Sequence, residues 1–163
     1  MVPFAGWEMP VQYSSILEEH MKVRNECGLF DVSHMGEVRV SGPNAKGFLE
    51  KITPNLLEGQ KDGQIRYNAI LNDNGGIRDD VTIFRESDSS YFIVVNASNV
   101  DKIWAHLNEK KEPGVILENL SDRYSLLALQ GPLAEEILKS HSAFPSDRID
   151  ALAYYHFFDT DTM

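Results

Sequence analysis

The sequence predicts an α+β fold, with antiparallel sheets in meanders and flanking helices, on three observations. Runs of alternating apolar and polar residues follow one another across short polar turns, instead of alternating one by one with helices. A few amphipathic stretches with cap signals interrupt those runs. The chain has 163 residues, 42% of them hydrophobic, which is enough to bury a real core.

Ser15 to Glu18 spells a capping box, with Ser15 as N-cap and Glu18 as its N3 partner. A helix is expected over Ile16–Cys27, with Gly28 as its C′ stop. Val38 and Val40 alternate with Glu37 and Arg39, the pattern of a half-buried strand. Pro43 suits the first turn of a second helix carrying Phe48, Leu49 and Ile52. The centre reads as a β-meander: Ile65–Leu71, a turn at Asn72 to Gly76, and Ile77–Phe84 returning antiparallel. A polar turn from Glu86 to Ser90 leads into Tyr91–Val95. Ser98 is the expected cap of a helix in which Val100, Ile103, Trp104 and Leu107 share one face. Val115–Leu117, Tyr124–Leu129 and Leu152–Phe158 are expected strands, with a short helix after Gly131-Pro132.

Composition narrows the function classes. Fifteen Lys and Arg against 25 Asp and Glu give a net charge of -10, which disfavours nucleic acid as a partner. No apolar run approaches the ~18 residues of a membrane span, so no membrane partner is expected. The single cysteine, Cys27, makes no internal disulfide and points to the reducing interior of a cell. The start at Met1, Val2, Pro3 and Phe4 does not read as a signal peptide. The five histidines lie far apart, without HxH or HExxH spacing, so no metal site is expected. Gly75-Gly76 lies between two strands and reads as a turn rather than a phosphate loop.

One pair of residues stands out against this background. Asp79 and Asp80 sit in the middle of an apolar strand, where carboxylates cost both β-propensity and burial energy. The strand period of two puts them on opposite faces. Asp79 goes with Ile77, Val81 and Ile83 on a core-like face, and Asp80 with Arg78, Thr82 and Phe84 on a mixed one. A mixed polar and aromatic face suits a flat heterocycle whose ring N–H groups meet a carboxylate. The commoner arrangement for such a residue is a solvent-facing charge pair, here with Arg78 or a lysine. Asn96, ending the Val94-Val95-Asn96 run, either closes a turn or meets a ligand, and Met35 and Tyr67 read singly as packing residues.

Taken together, separated blocks resemble a known family. They are Phe4-Ala5-Gly6-Trp7-Glu8-Met9-Pro10-Val11-Gln12-Tyr13, Gly28 through Gly36, Leu71-Asn72 through Asp79-Asp80, Val94-Val95-Asn96-Ala97 and Leu129-Gln130-Gly131-Pro132. Their order and spacing resemble the T-protein of the glycine cleavage system across essentially the whole chain. The resemblance implies a tetrahydrofolate-dependent aminomethyltransferase. Such an enzyme moves a one-carbon unit from the aminomethyl-lipoyl arm of H-protein to tetrahydrofolate, with release of ammonia. Tetrahydrofolate is then a co-substrate, no metal is needed, and the expected location is the cytoplasm, or the mitochondrial matrix of a eukaryote. The family's catalytic aspartate matches Asp80. Its contacts to the pterin and its neighbourhood carry over to Met35, Tyr67, Asn96 and Tyr155, and Phe84 stands where relatives often have tyrosine.

The same resemblance implies that residues 1–163 correspond to the folate-binding N-terminal portion, arranged as two interleaved subdomains. The short segment that usually precedes Met-Val-Pro-Phe and the Arg-Thr-Gly-Tyr-Thr-Gly-Glu motif with all that follows it are not in this sequence. The 163 residues alone are therefore expected to bind tetrahydrofolate weakly and to transfer nothing. Two alternatives remain at this level: a non-catalytic folate-binding module, or another folate-dependent enzyme of the superfamily such as a demethylase. A Lys-Gly-Cys-Tyr-type motif, found in paralogues that assist iron–sulfur assembly, is absent.

Overall fold

The computed structural model describes residues 1–160. The chain divides into two compact units: one formed by residues 35–124 with 154–157, the other by 1–34, 125–153 and the segment from Phe158 on. The first is called here the sheet unit and the second the terminal unit. The sheets are antiparallel, as the α+β reading requires.

The sheet unit is built on five strands: β4 (Gly36–Ser41), β5 (Ile65–Leu71), β6 (Ile77–Ser87), β7 (Ser90–Val95) and β8 (Ile116–Asn119), in the spatial order β5-β6-β7-β4-β8. β5, β6 and β7 form the expected meander. One face of this sheet is covered by α2 (Ala45–Ile52) and α3 (Val100–Lys110). Phe48, Leu49 and Ile52 of α2 and Ile103 and Leu107 of α3 close over Val38, Val40, Val81, Ile83, Ile93 and Val95. The helical and strand periods read from the sequence thus meet in one core.

The details depart from the sequence reading in instructive places. Ile77 is 72% exposed instead of joining Asp79 and Val81 in the core. The register shifts between Ile70 and Leu71, so Ile77 opens the strand at the mouth of the turn. β6 runs on to Ser87, and the turn is confined to Asp88 and Ser89. Pro43 lies outside α2, whose N-cap is Asn44. Ser98 does not cap α3: it lies inside a 3-10 turn, Ala97–Asn99, and Asn99 holds the N-cap position. The strand expected at Val115–Leu117 is shifted to Ile116–Asn119. Leu152–Phe158 is not a strand. Tyr155 adopts a left-handed φ of 56°, and only His156 bridges to Gln64.

The terminal unit holds a hairpin, β1 (Val2–Phe4) with β2 (Trp7–Met9), and a second two-stranded pairing of β3 (Gly28–Asp31) with β9 (Leu127–Gln130). Its helices are α1 (Ile16–Asn25), α4 (Ala134–Ser140) and α5 (Ser146–Asp150). The hairpin turns on Ala5 and Gly6, both with positive φ, the geometry that two-residue hairpins favour. α1 ends at Asn25, short of the expected Cys27. The Glu26 carbonyl is satisfied from outside by the Leu133 N–H at 3.0 Å, so no C′ glycine is needed and Gly28 opens β3. Gly131 makes this approach possible: a Cβ there would lie 2.5 Å from the Glu26 carbonyl oxygen. The expected strand Tyr124–Leu129 shrinks to β9, because a 3-10 turn at Ser121–Arg123 and Ser125-Leu126 lead into it. The short helix after Gly131-Pro132 is α4. No helix among the described residues is long and apolar enough to cross a membrane.

Candidate functional site

The face of the sheet opposite α2 and α3 carries the candidate residues. Asp79 is 4% exposed and belongs to the core side, whereas Asp80 is exposed on the other, as the period of two requires. Asp80 lies opposite Ala69 on β5. Thr82 faces Val94, and Val95 faces Gly36; extending the first register by two residues and the second by one sets Asn96 beside Asp80 and Met35 beside Asn96. Met35, Asn96 and Asp80 therefore share one cross-strand row, and Tyr67 stands in the next, opposite Thr82.

Hydrogen bonds fix this row. The Tyr67 hydroxyl donates to Asp80 Oδ2 at 2.8 Å. The Asn96 side-chain amide donates to Asp80 Oδ1 and to the Asp80 carbonyl, each at 3.0 Å. No ion pair among the described residues joins Asp80 to Arg78, so the surface pair that local pattern favours is not formed. The bond to Asp80 raises the Tyr67 hydroxyl above its ordinary pKa, so the phenol keeps its proton.

Behind the row, Asp79 organises the turn into α3. It accepts the Asn96 backbone N–H at 2.9 Å, the Asn96 side-chain amide at 3.0 Å and the Asn99 side-chain amide. A buried carboxylate is tolerable here because three donors converge on it. The core-side placement of Asp79 was read from the sequence, but its hold on Asn96 and the part played by Asn99 were not. The available signal was the three-residue spacing of Asn96 and Asn99 across a single turn.

No hydrogen bond or ring contact among the described residues joins Phe84 or Tyr155 to Asp80. The Phe84 ring is met edge-on by Phe92 at 5.9 Å and Phe157 at 5.4 Å, and Phe92 in turn by Tyr124. Tyr155 lies along the free edge of β5, where its carbonyl accepts the Ile65 N–H at 2.7 Å and its ring leans on Tyr154. Residues held in the left-handed region against their preference recur at functional sites.

Glu37 overturns its sequence reading. It lies on the same face as Asp80 but is only 1% exposed, and neither carboxyl oxygen has a hydrogen-bond partner among the described residues. Burial pushes its pKa up to about 7. Further along the face, Arg39 makes a two-pronged ion pair with Glu86 at 2.8 and 2.9 Å. No group of three or more His, Cys, Asp or Glu among the described residues is arranged to hold a metal ion.

The chain has counterparts among known proteins. The family model of the GCVT N-terminal domain matches residues 1–163. An aminomethyltransferase of Deinococcus deserti is 51% identical over 142 residues, covering 86% of this chain and 40% of the relative. One from Chloroherpeton thalassium is 48% identical over 158 residues, covering 96% of this chain and 43% of the relative. The crystal structure of the glycine cleavage system aminomethyltransferase T from Bartonella henselae superposes with a TM-score of 0.89 at 34% identity. That match covers 99% of this chain and 44% of the other. The chain thus spans about two fifths of the length of the curated relatives it matches.

Proposed function

The chain belongs to the GCVT N-terminal domain family, and on that premise we propose that its sheet unit is the tetrahydrofolate-facing part of a glycine cleavage system aminomethyltransferase. The observation that carries this is the oriented Asp80 carboxylate, held on an exposed sheet face between Tyr67 and Asn96. The acceptor set fits the co-substrate: carboxylate and amide oxygens suit ring N–H groups, and the flanking Tyr67 offers a flat apolar surface.

Tetrahydrofolate, when bound, supplies the nucleophilic nitrogens that accept the one-carbon unit from the aminomethyl-lipoyl arm of H-protein, ammonia being released. Asp80 holds an N–H of the ring in place and offers negative charge where positive charge develops on the transferred carbon. Tyr67 and Asn96 fix the carboxylate in advance, so little reorganisation is needed at the moment of reaction. Met35 lines the end of the row, and Tyr155 and Phe84 border the face. An acidic chain with one free thiol suits the reducing cytoplasm.

The test is calorimetric titration of tetrahydrofolate into the chain and into Asp80→Asn, alongside an assay with aminomethylated H-protein. Saturable binding that weakens at least tenfold in Asp80→Asn, with an unchanged circular dichroism spectrum, supports the reading. Equal affinity in both proteins overturns it.

A further inference from the structure

The polar atoms around Asp80 share a property that follows from where their hydrogens point. A primary amide has two donor hydrogens on nitrogen and lone pairs on oxygen. Asn96 Nδ2 lies 3.0 Å from each of three acceptors, Asp79 Oδ1, Asp80 Oδ1 and the Asp80 carbonyl. Turning the amide over would set its oxygen against all three, so the network fixes its orientation. Both amide hydrogens are engaged, and the oxygen is the atom left to meet a ligand. The Tyr67 hydroxyl has one hydrogen, and it is engaged on Asp80 Oδ2. Asp80 itself, as a carboxylate, offers lone pairs alone. The row therefore presents acceptors and no donors.

What enforces this is the layer behind. Asp79 is buried, and it grips Asn96 twice, through the backbone N–H at 2.9 Å and the side-chain amide. Asn99 donates to the same Asp79 oxygen and completes the clamp. Asp79 lies on the core side and Asn99 bonds to it, so both act through Asn96.

We propose that Asp79 and Asn99 are specificity-positioning residues that lock Asn96 with its oxygen outward and so make the site select reduced pterins over oxidised ones. This rests on the tetrahydrofolate reading and deepens it. A tetrahydropterin carries N–H at ring positions 5 and 8, donors that match an acceptor row. The fully oxidised ring of folic acid has bare nitrogens there, whose lone pairs face the lone pairs of the site. A site built to bond an N–H rejects the analogue lacking it strongly, because its own polar groups go unpaired.

The experiment compares the affinities of tetrahydrofolate and folic acid, titrated anaerobically and followed by protein fluorescence, in the wild-type chain, Asp79→Asn and Asn99→Ala. The wild type should prefer tetrahydrofolate by roughly tenfold or more. In Asp79→Asn the preference should fall to within about twofold of unity, and in Asn99→Ala it should fall about threefold, because one of the bonds on Asp79 is lost. A merely structural loss would weaken both ligands alike and leave the ratio unmoved. Should Asp79→Asn fail to fold, Asn99→Ala decides alone. A wild-type ratio near unity, or an unchanged ratio in the folded variants, overturns the selectivity proposal while leaving tetrahydrofolate binding in place. Binding of neither ligand by the wild type overturns the tetrahydrofolate reading and this inference with it.

Discussion

In the sheet unit, α2 and α3 each lay an apolar stripe on the strands, and Phe48, Leu49, Ile103 and Leu107 leave water entirely or nearly so. In the terminal unit, α1 buries no residue at all: Ile16, Leu17 and Met21 remain exposed. Both regions use caps, turns and short antiparallel pairings. They differ in what the helices cover. A ten-residue helix is marginal in water without tertiary packing, so α1 depends on its ends, whereas α2 and α3 depend on their faces. The candidate site lies wholly within the better packed region, which suits a function that needs fixed geometry.

The sharpest way to break this comparison is to remove apolar volume from each region. Phe48→Ala should cost about 3–5 kcal/mol of stability in denaturant unfolding. Leu17→Ala in α1 should change it by no more than about 0.5 kcal/mol. Similar losses at the two positions would show that the packing contrast has no energetic meaning.

The second test is the contrast between neighbours Asp79 and Asp80. Asp79→Asn turns a converging acceptor into a partial donor against Asn96 and Asn99, and should destabilise the protein by about 2 kcal/mol. Asp80→Asn, on the exposed face, should shift stability by less than about 0.5 kcal/mol while weakening tetrahydrofolate binding at least tenfold. Thermal melts paired with the tetrahydrofolate titration check both. A stable Asp79 variant with normal folate selectivity would remove the structural reason for the pair.

The separation of these two aspartates was legible in the sequence because it depends only on the strand period. The same holds for the meander, the amphipathic face of α3 and the Ser15 cap. What was not legible depends on partners distant in the chain. The pairing of Gly28 with Gln130 makes a strand of a segment that local pattern reads as a helix stop. Glu37 alternates like a surface residue, yet its burial is set by what lies over it, not by its neighbours in sequence. Leu152–Phe158 has strand composition, but the backbone of Tyr155 breaks the extended run. Within the site, the Asp80 face could be read locally. The resemblance added Tyr67, Asn96 and Met35, and the role of Asn99 needed the hydrogen-bond geometry.

Glu37 gives the third test, of pH dependence in the sheet unit. Its folded pKa, about 7, lies above the ordinary carboxyl value of 4.5. The folded protein therefore holds a proton that the unfolded chain releases, and stability falls as pH rises between those values. The full effect is at most about 3 kcal/mol. Urea titrations at pH 5 and pH 8 should show it, and Glu37→Gln should flatten the slope. An unchanged slope in that variant would place the titration elsewhere.

The smallest effect belongs to α1, and it has the opposite sign. Ser15 Oγ accepts the Glu18 N–H at 3.4 Å, a long cap bond. The reciprocal half of the box is made by Glu19 in place of Glu18: its carboxylate accepts the N–H groups of Tyr13 at 2.7 Å, Ser14 at 2.6 Å and Ser15 at 3.2 Å. The Ser14 N–H foremost, with those of Tyr13 and Ser15, holds the Glu19 carboxyl below its usual range. With Glu19 carrying most of the cap, Ser15→Ala should cost only about 0.5 kcal/mol. Amide hydrogen exchange should register that loss in α1 and leave β6 and β7 unchanged. A group whose folded pKa is depressed contributes stability above its unfolded pKa and loses it as pH falls through the folded one. Acidification should therefore loosen α1 only below the ordinary carboxyl value of 4.5, after protonation of Glu37 between about 7 and 4.5 has strengthened the sheet unit, and Glu19→Gln should remove the loosening. If exchange in α1 and in the strands instead moves together with pH, the two regions open as one, and the contrast between a helix held by its ends and helices held by their faces does not govern the protein's stability.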